Sequence, residues 1–160
     1  MAYEGEDSSS GVVVAFLAAL RDEQFDQALS YVTEDLVWHN VSLPKVRGKR
    51  NVSRAFALMK KLNMRFDVQF HHIGTGTDAV LTERTDALSL GRFRIEFWVC
   101  GTFEFRDGKI SVWRDRFDYA NFTFAIIRGL VGIVLPRRQP FALFAPGLAA
   151  LSGKSQARRT

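Results

Sequence analysis

The sequence predicts an α+β fold in which helices come first and a long, mainly antiparallel sheet follows. Three observations carry this expectation. Apolar residues recur at helical spacing from Val13 to Val32; from Phe66 onward they alternate instead; and Asp107-Gly108 joins two of the alternating runs as a hairpin.

Ser8, Ser9 and Ser10 supply a capping signal ahead of a first helix, whose inward face is Val13, Phe16, Leu17 and Leu20. Phe25, Ala28, Leu29 and Val32 give a second. Residues 36–41 read as a short strand broken by Leu43-Pro44, and Gly48 precedes a third helix patterned by Val52, Ala55, Phe56, Met59 and Leu62. Phe66, Val68 and Phe70 open the strands, and 79–88 follow. Phe93, Ile95, Phe97, Val99, Gly101, Phe103 and Phe105 then alternate, and 109–119 return as their partner. Residues 122–135 read as a docked C-terminal helix: Arg128 interrupts the stretch, which is shorter than the roughly 20 residues of a spanning helix.

At 160 residues with 47% hydrophobic content, the chain is expected to be one domain, 1–160. About 12–135 form the core fold and 136–160 a basic, apolar extension. Net charge is +5, but much of the excess sits in Arg137, Arg138, Lys154, Arg158 and Arg159, a solvated tail rather than a nucleic-acid surface. Cys100 is the single cysteine, which excludes an internal disulfide framework and fits a reducing cytoplasm. The polar, acidic start MAYEGEDSSS lacks the order of a secretion signal. His39, His71 and His72 have no metal-ligand spacing, and adjacent His71 and His72 should point to opposite faces of an extended segment. Neither metal nor cofactor is expected.

Strand register points to a polar cluster. A three-residue loop, Arg106-Asp107-Gly108 with a G1 bulge, pairs Phe105 with Lys109 and Val99 with Asp115. Trp113, Asp115 and Phe117 then share a face with Phe97, Val99 and Phe103. A carboxylate among such side chains calls for a cation. Arg84 supplies it: Arg84 and Asp86 are two apart on the preceding strand, share its inward face with Val80 and Leu88, and are expected opposite Phe97 and Ile95, with Leu88 paired to Phe93. One guanidinium could thus bridge two inequivalent carboxylates, one a base and the other an acid. A buried ion network without chemistry accounts for the same pattern equally well. Cys100, Glu83 and Asp118 face away from the cluster.

Leu81-Thr82-Glu83-Arg84-Thr85-Asp86-Ala87-Leu88, Asp107-Gly108-Lys109-Ile110, Trp113-Arg114-Asp115-Arg116-Phe117-Asp118 and Trp38-His39-Asn40-Val41-Ser42-Leu43-Pro44 resemble the limonene-1,2-epoxide hydrolases. That family sits among the SnoaL-like, NTF2-like, cystatin-like cone folds, which implies a strongly curved mixed, mainly antiparallel sheet packed against N-terminal helices around a deep apolar pocket. It implies that Asp115 deprotonates water, Asp86 protonates the oxygen of a lipophilic epoxide, Arg84 bridges them and Asn40 helps hold the water. Trp38 stands where the family usually has a water-holding tyrosine; an indole offers one donor and no acceptor. Leu17, Leu20, Met59, Val68 and Leu88 are implied pocket wall, together with Phe97, Val99, Trp113, Phe117 and Phe122, which are core residues first. A homodimer is implied too. The alternatives are a non-catalytic binder of hydrophobic ligands and a steroid-isomerase-like or polyketide-cyclase-like enzyme of the same fold.

Overall fold

The computed structural model describes residues 6–131, 133 and 142–145. The chain runs α1 (Glu6–Arg21), α2 (Phe25–Ser30), β1 (Val32–Asn40), β2 (Val46–Arg47), α3 (Lys49–Lys61), β3 (Met64–Thr75), β4 (Ala79–Leu90), β5 (Phe93–Arg106), β6 (Lys109–Phe117) and α4 (Tyr119–Val131). The expected helices and strands are present in the expected order, but Val32, expected in the second helix, opens β1, and the short β2 is additional. One signal was misread: Ser8, Ser9 and Ser10 lie inside α1, so the helix has begun before the serines that were to cap it.

The six strands form one sheet in the order β2-β1-β6-β5-β4-β3. Neighbouring strands from β3 to β6 are antiparallel, as two-residue or similarly tight connections require, whereas β1 lies parallel to β6 and makes the sheet mixed. Val13, Phe16, Leu17 and Leu20 of α1 are buried against Val68, Phe70, Val80, Phe103, Ile110 and Trp113 of the sheet. Each such side chain contributes about 1.5–3 kcal/mol on leaving water, and this is what holds the helical layer on the concave face. A second cluster, Ile95, Phe97, Val99 and Ala125 with Leu88, Phe93, Phe117, Phe122 and Ile126 packed on it, fixes α4. Asp118 caps that helix by accepting from the Ala120 N–H at 2.8 Å.

Two registers differ from expectation. At the β5–β6 hairpin the loop has two residues, not three: Arg106 pairs with Lys109 and Asp107 and Gly108 both take positive φ, 52° and 74°. Asp-Gly suits the type I′ turn, whose twist matches that of the strands. A bulge between Glu104 and Phe105 then leaves Ser111 unpaired and restores the parity the longer loop was to supply. Asp115 therefore faces Gly101 rather than Val99. At the β4–β5 hairpin Leu90 pairs with Phe93, so Arg84 lies opposite Val99 rather than Phe97, and Asp86 opposite Phe97 rather than Ile95. Gly91, with φ 58°, allows the tight turn that extends the ladder by one more pair. Past the bulge both shifts are by two residues, so the side chains of the cluster keep their predicted faces; between bulge and turn the shift is by one, and Ile110 rather than Lys109 turns inward.

A third difference is local. A bulge between Phe70 and His72 in β3 lets both histidines reach the outer face, where His71 Nε2 lies 2.8 Å from Thr85 Oγ1 and His72 Nδ1 lies 2.8 Å from Glu83 Oε2. They do not point to opposite faces because the extra residue interrupts the alternation. Beyond α4, residues 142–145 return to β3: the Phe70 N–H donates to Leu143 O, the Ala145 N–H donates to Phe70 O, and Phe144 stacks on Phe70 at 5.7 Å. Most of the predicted extension at 136–160 lies outside the described residues. No helix among the described residues is long and apolar enough to cross a membrane.

Candidate active site

The site follows from strand alternation. Thr82, Arg84 and Asp86 occupy successive inward positions of β4, and all three are buried. Asp115 is inward on β6 and Asn40 lies beside it on β1. Across the sheet, Thr82 faces Gly101, Gly101 faces Asp115 and Asp115 neighbours Asn40. This polar row separates the two apolar clusters. Trp113 and Phe103 lie on one side of it, Val99 and Phe97 on the other.

Arg84 is fully enclosed. Its guanidinium donates Nε–H to Asp86 Oδ1 at 2.8 Å and Nη2–H to Asp86 Oδ2 at 3.0 Å, the two-pronged contact that matches a carboxylate. Nη1–H goes to Thr82 Oγ1 at 2.9 Å. Nη2 also lies 2.7 Å from Asp115 Oδ1, an ion pair that lacks the alignment of a hydrogen bond. The guanidinium further sits 5.8 Å from the centre of the Phe103 ring.

One cation serves two buried anions, so the carboxylates share a net negative charge in a dry place. Burial pushes the Asp86 carboxyl up to about 6; Arg84 opposes the rise and the charge of Asp115 adds to it. Burial raises Asp115 as well, against the pull of Arg84. For Arg84 burial acts downward, but the two carboxylates outweigh it and hold the guanidinium charged. The arrangement can therefore keep a proton on one carboxyl near neutral pH while the other accepts one.

Trp38 Nε1 is buried without a hydrogen-bond partner, beside the Trp113 indole and the Asp115 carboxylate, which is ion-paired with Arg84. The two indoles stack, with ring centres 4.9 Å apart and planes 12° from parallel, because Trp38 and Trp113 are neighbours across the parallel pair. An unsatisfied donor buried beside a carboxylate is costly in a fold and calls for something polar next to it.

The model of the limonene-1,2-epoxide hydrolase catalytic domain matches residues 7–128. The chain belongs to that family. Epoxide hydrolase EphG of Mycobacterium tuberculosis is 46% identical over 126 residues, covering 78% of this chain and 83% of that protein. The structure of an M. tuberculosis LEH-like epoxide hydrolase superposes with a TM-score of 0.77 at 43% identity, over 81% of this chain and 97% of that one. An uncharacterised cystatin-fold protein from Novosphingobium aromaticivorans, at TM-score 0.59 and 19% identity over 68% of this chain and 97% of that one, shares the fold alone.

For this family member, Arg84, Asp86 and Asp115 converge at one point and Asn40 lies beside it in register. The ten residues expected to line a pocket divide between the two apolar clusters. Leu17, Leu20, Met59, Val68 and Trp113 belong to the layer under α1 and α3, and Leu88, Phe97, Val99, Phe117 and Phe122 to the layer under α4. Thr82 was missed. Its signal was available, since it stands two residues before Arg84 and so shares its face. A surface hollow of about 420 Å³ between Phe25 and Lys60, on α2 and α3, includes none of the triad. Cys100 and Glu83 are opposite each other on β5 and β4, and Glu83 is occupied by His72 and by the Trp98 indole.

Proposed function

We propose that the Arg84, Asp86 and Asp115 cluster adds water to a lipophilic epoxide in one step, giving a vicinal diol. As an epoxide hydrolase of its family, the chain needs a base for water and an acid for the ring oxygen. Asp115 takes a proton from water as the water oxygen attacks a ring carbon; the carbon–oxygen bond breaks, and Asp86 gives its proton to the departing oxygen. Asp115 ends protonated and Asp86 ionised, and a proton passing between them restores the start. The pair's total charge stays constant because one proton arrives as the other leaves, and Arg84 stays charged beside it throughout. The observation that carries this reading is the single buried guanidinium held between two inequivalent carboxylates, one of them raised to about 6.

In this reading Asn40 and Trp38 hold the water, which would sit between the unpartnered Trp38 Nε1 and the Asp115 carboxylate. The indole donates to the water oxygen and leaves the water's protons for Asp115 and one other acceptor. The apolar residues on both sides of the polar row, Leu17, Leu20, Met59, Val68 and Trp113 toward α1 and Leu88, Phe97, Val99, Phe117 and Phe122 toward α4, would contact the carbon skeleton and exclude bulk water. The outward apolar side of α4, with Phe124, Ile127, Leu130 and Val131 exposed, supports a homodimer, and the cytoplasm is the proposed location.

The test is Asp115→Asn, assayed for diol on a panel of terpene, fatty-acid and sterol epoxides. General-base loss is expected to lower turnover by about 10²–10⁴ with the fold retained. Full activity would remove Asp115 from the mechanism. Single turnover in oxygen-labelled water separates direct attack from an ester on the enzyme, because only direct attack places solvent oxygen in every diol formed.

A further inference from the structure

Arg84 and Asp115 are on strands separated by β5, with backbones about 10 Å apart at a strand spacing near 4.8 Å. Their side chains meet only if nothing projects from β5 between them. The residue there is Gly101, paired with Thr82 on one side and Asp115 on the other. A Cβ at this position would stand 2.1 Å from Arg84 Nη1, 2.6 Å from Thr82 Oγ1 and 3.1 Å from Asp115 Oδ1. All three atoms belong to the cluster, and the first two distances are shorter than real Cβ contacts tolerate. The requirement is for space and not for backbone conformation, since Gly101 is absent from the positive-φ glycines, Gly48, Gly91 and Gly108.

A glycine within a strand weakens it, and the inward positions on either side carry Val99 and Phe103. Gly101 thus interrupts a bulky row at the one point where the guanidinium crosses. Thr82 completes the seat. Its hydroxyl accepts from Nη1 at 2.9 Å, which leaves Nε and Nη2 for Asp86 and Nη2 alone for Asp115. Without that acceptor, Nη1 would be a buried donor with no partner, and the guanidinium could turn to relieve it.

We propose that Gly101 and Thr82 are positioning residues for the reaction: Gly101 clears the path across β5, and Thr82 fixes the rotation of the Arg84 guanidinium so that Nη2 reaches Asp115. This rests on the roles given above to Arg84, Asp86 and Asp115. Neither residue touches the substrate; both act through Arg84.

The experiment uses the full chain and the epoxide that it turns over fastest in the panel. Thr82→Val keeps the shape and removes the hydroxyl; it is expected to lower kcat about tenfold to a hundredfold, the worth of a hydrogen bond to a charged group, with KM little changed. The acid limb of the kcat profile moves to higher pH, because a looser Arg84 no longer opposes the effect of burial on Asp115. Thr82→Ser restores most of both. Gly101→Ala lowers kcat more than Thr82→Val does. If Gly101→Ala does not fold, the Thr82 pair decides. The proposal is overturned if Thr82→Val has full kcat and an unmoved limb, if Thr82→Ser is as damaged as Thr82→Val, or if folded Gly101→Ala is fully active. An active Asp115→Asn defeats the site reading itself, whereas an inactive Asp115→Asn beside a fully active Thr82→Val defeats only this inference.

Discussion

Replacing Arg84 with Met removes the shared cation while filling much of its space, and the loss should depend on pH in a way that packing cannot mimic. In the native chain Asp86 is raised to about 6 against a reference of 3.8, so at pH 7 its ionised form already costs about 3 kcal/mol at 1.36 kcal/mol per tenfold. Holding a carboxyl neutral at pH 7 costs about 4 kcal/mol, and this caps the penalty, because a stranded carboxylate takes up a proton rather than stay charged. Asp86 can therefore lose about 1 kcal/mol more, and Asp115, itself already raised, adds an amount smaller than that cap. Both carboxyls have folded values raised above the unfolded ones, so their stabilising contribution is complete below about pH 4 and is lost as pH rises through the folded values. At pH 5 the native Asp86 is already mostly protonated, and the cap on either carboxyl falls to about 2 kcal/mol. Urea unfolding of the native chain and of Arg84→Met at pH 7 and pH 5 should thus give a stability gap that narrows at the lower pH by about 1 kcal/mol from Asp86, with Asp115 adding in the same direction. A gap of equal size at both values would refute the view that Arg84 compensates two buried negative charges.

The same titration should appear in catalysis. If Asp86 is the acid, kcat/KM falls as pH rises through about 6, where the free enzyme loses that proton, and Asp86→Asn removes activity without leaving a limb there; a profile flat between pH 5 and 7 argues against the role. At the other end of the sheet, Gly129→Ala would set a Cβ 2.7 Å from Arg94 O and 2.9 Å from Phe93 Cε2, so α4 must lift from β5. Overpacking of this kind costs about 1–3 kcal/mol and should lower the urea midpoint; an unchanged midpoint would mean that α4 is not seated as described.

Much of the site was legible because strand geometry has a period of two. Arg84 and Asp86 had to share a face, and so did Trp113, Asp115 and Phe117, whichever hairpin loop joined the strands with the right parity. That robustness has a limit, seen in the partner of Asp115. The loop is an Asp-Gly pair with both residues left-handed, and the odd residue is absorbed at Ser111 instead, two positions along the strand. Turn and bulge are nearly equivalent ways to place one extra residue, and the choice between them depends on twist and cross-strand packing that a single strand's pattern does not contain.

The sequence by itself determined the order of elements, the inward face of each strand, the three charged residues of the cluster and, through the quoted motifs, the family resemblance. The residues carrying this information are close in the chain, and alternation or helical spacing converts that closeness into direction. Tertiary structure alone decided what lies between distant elements: that β1 runs parallel to β6 and brings Asn40 beside Asp115, that Trp38 stacks on Trp113, and that residues 142–145 pair with β3. It also decided why Arg84 reaches Asp115 at all. Gly101 read as one more member of an alternating row, and its missing side chain acquired meaning only when β4 and β6 were laid on either side of it.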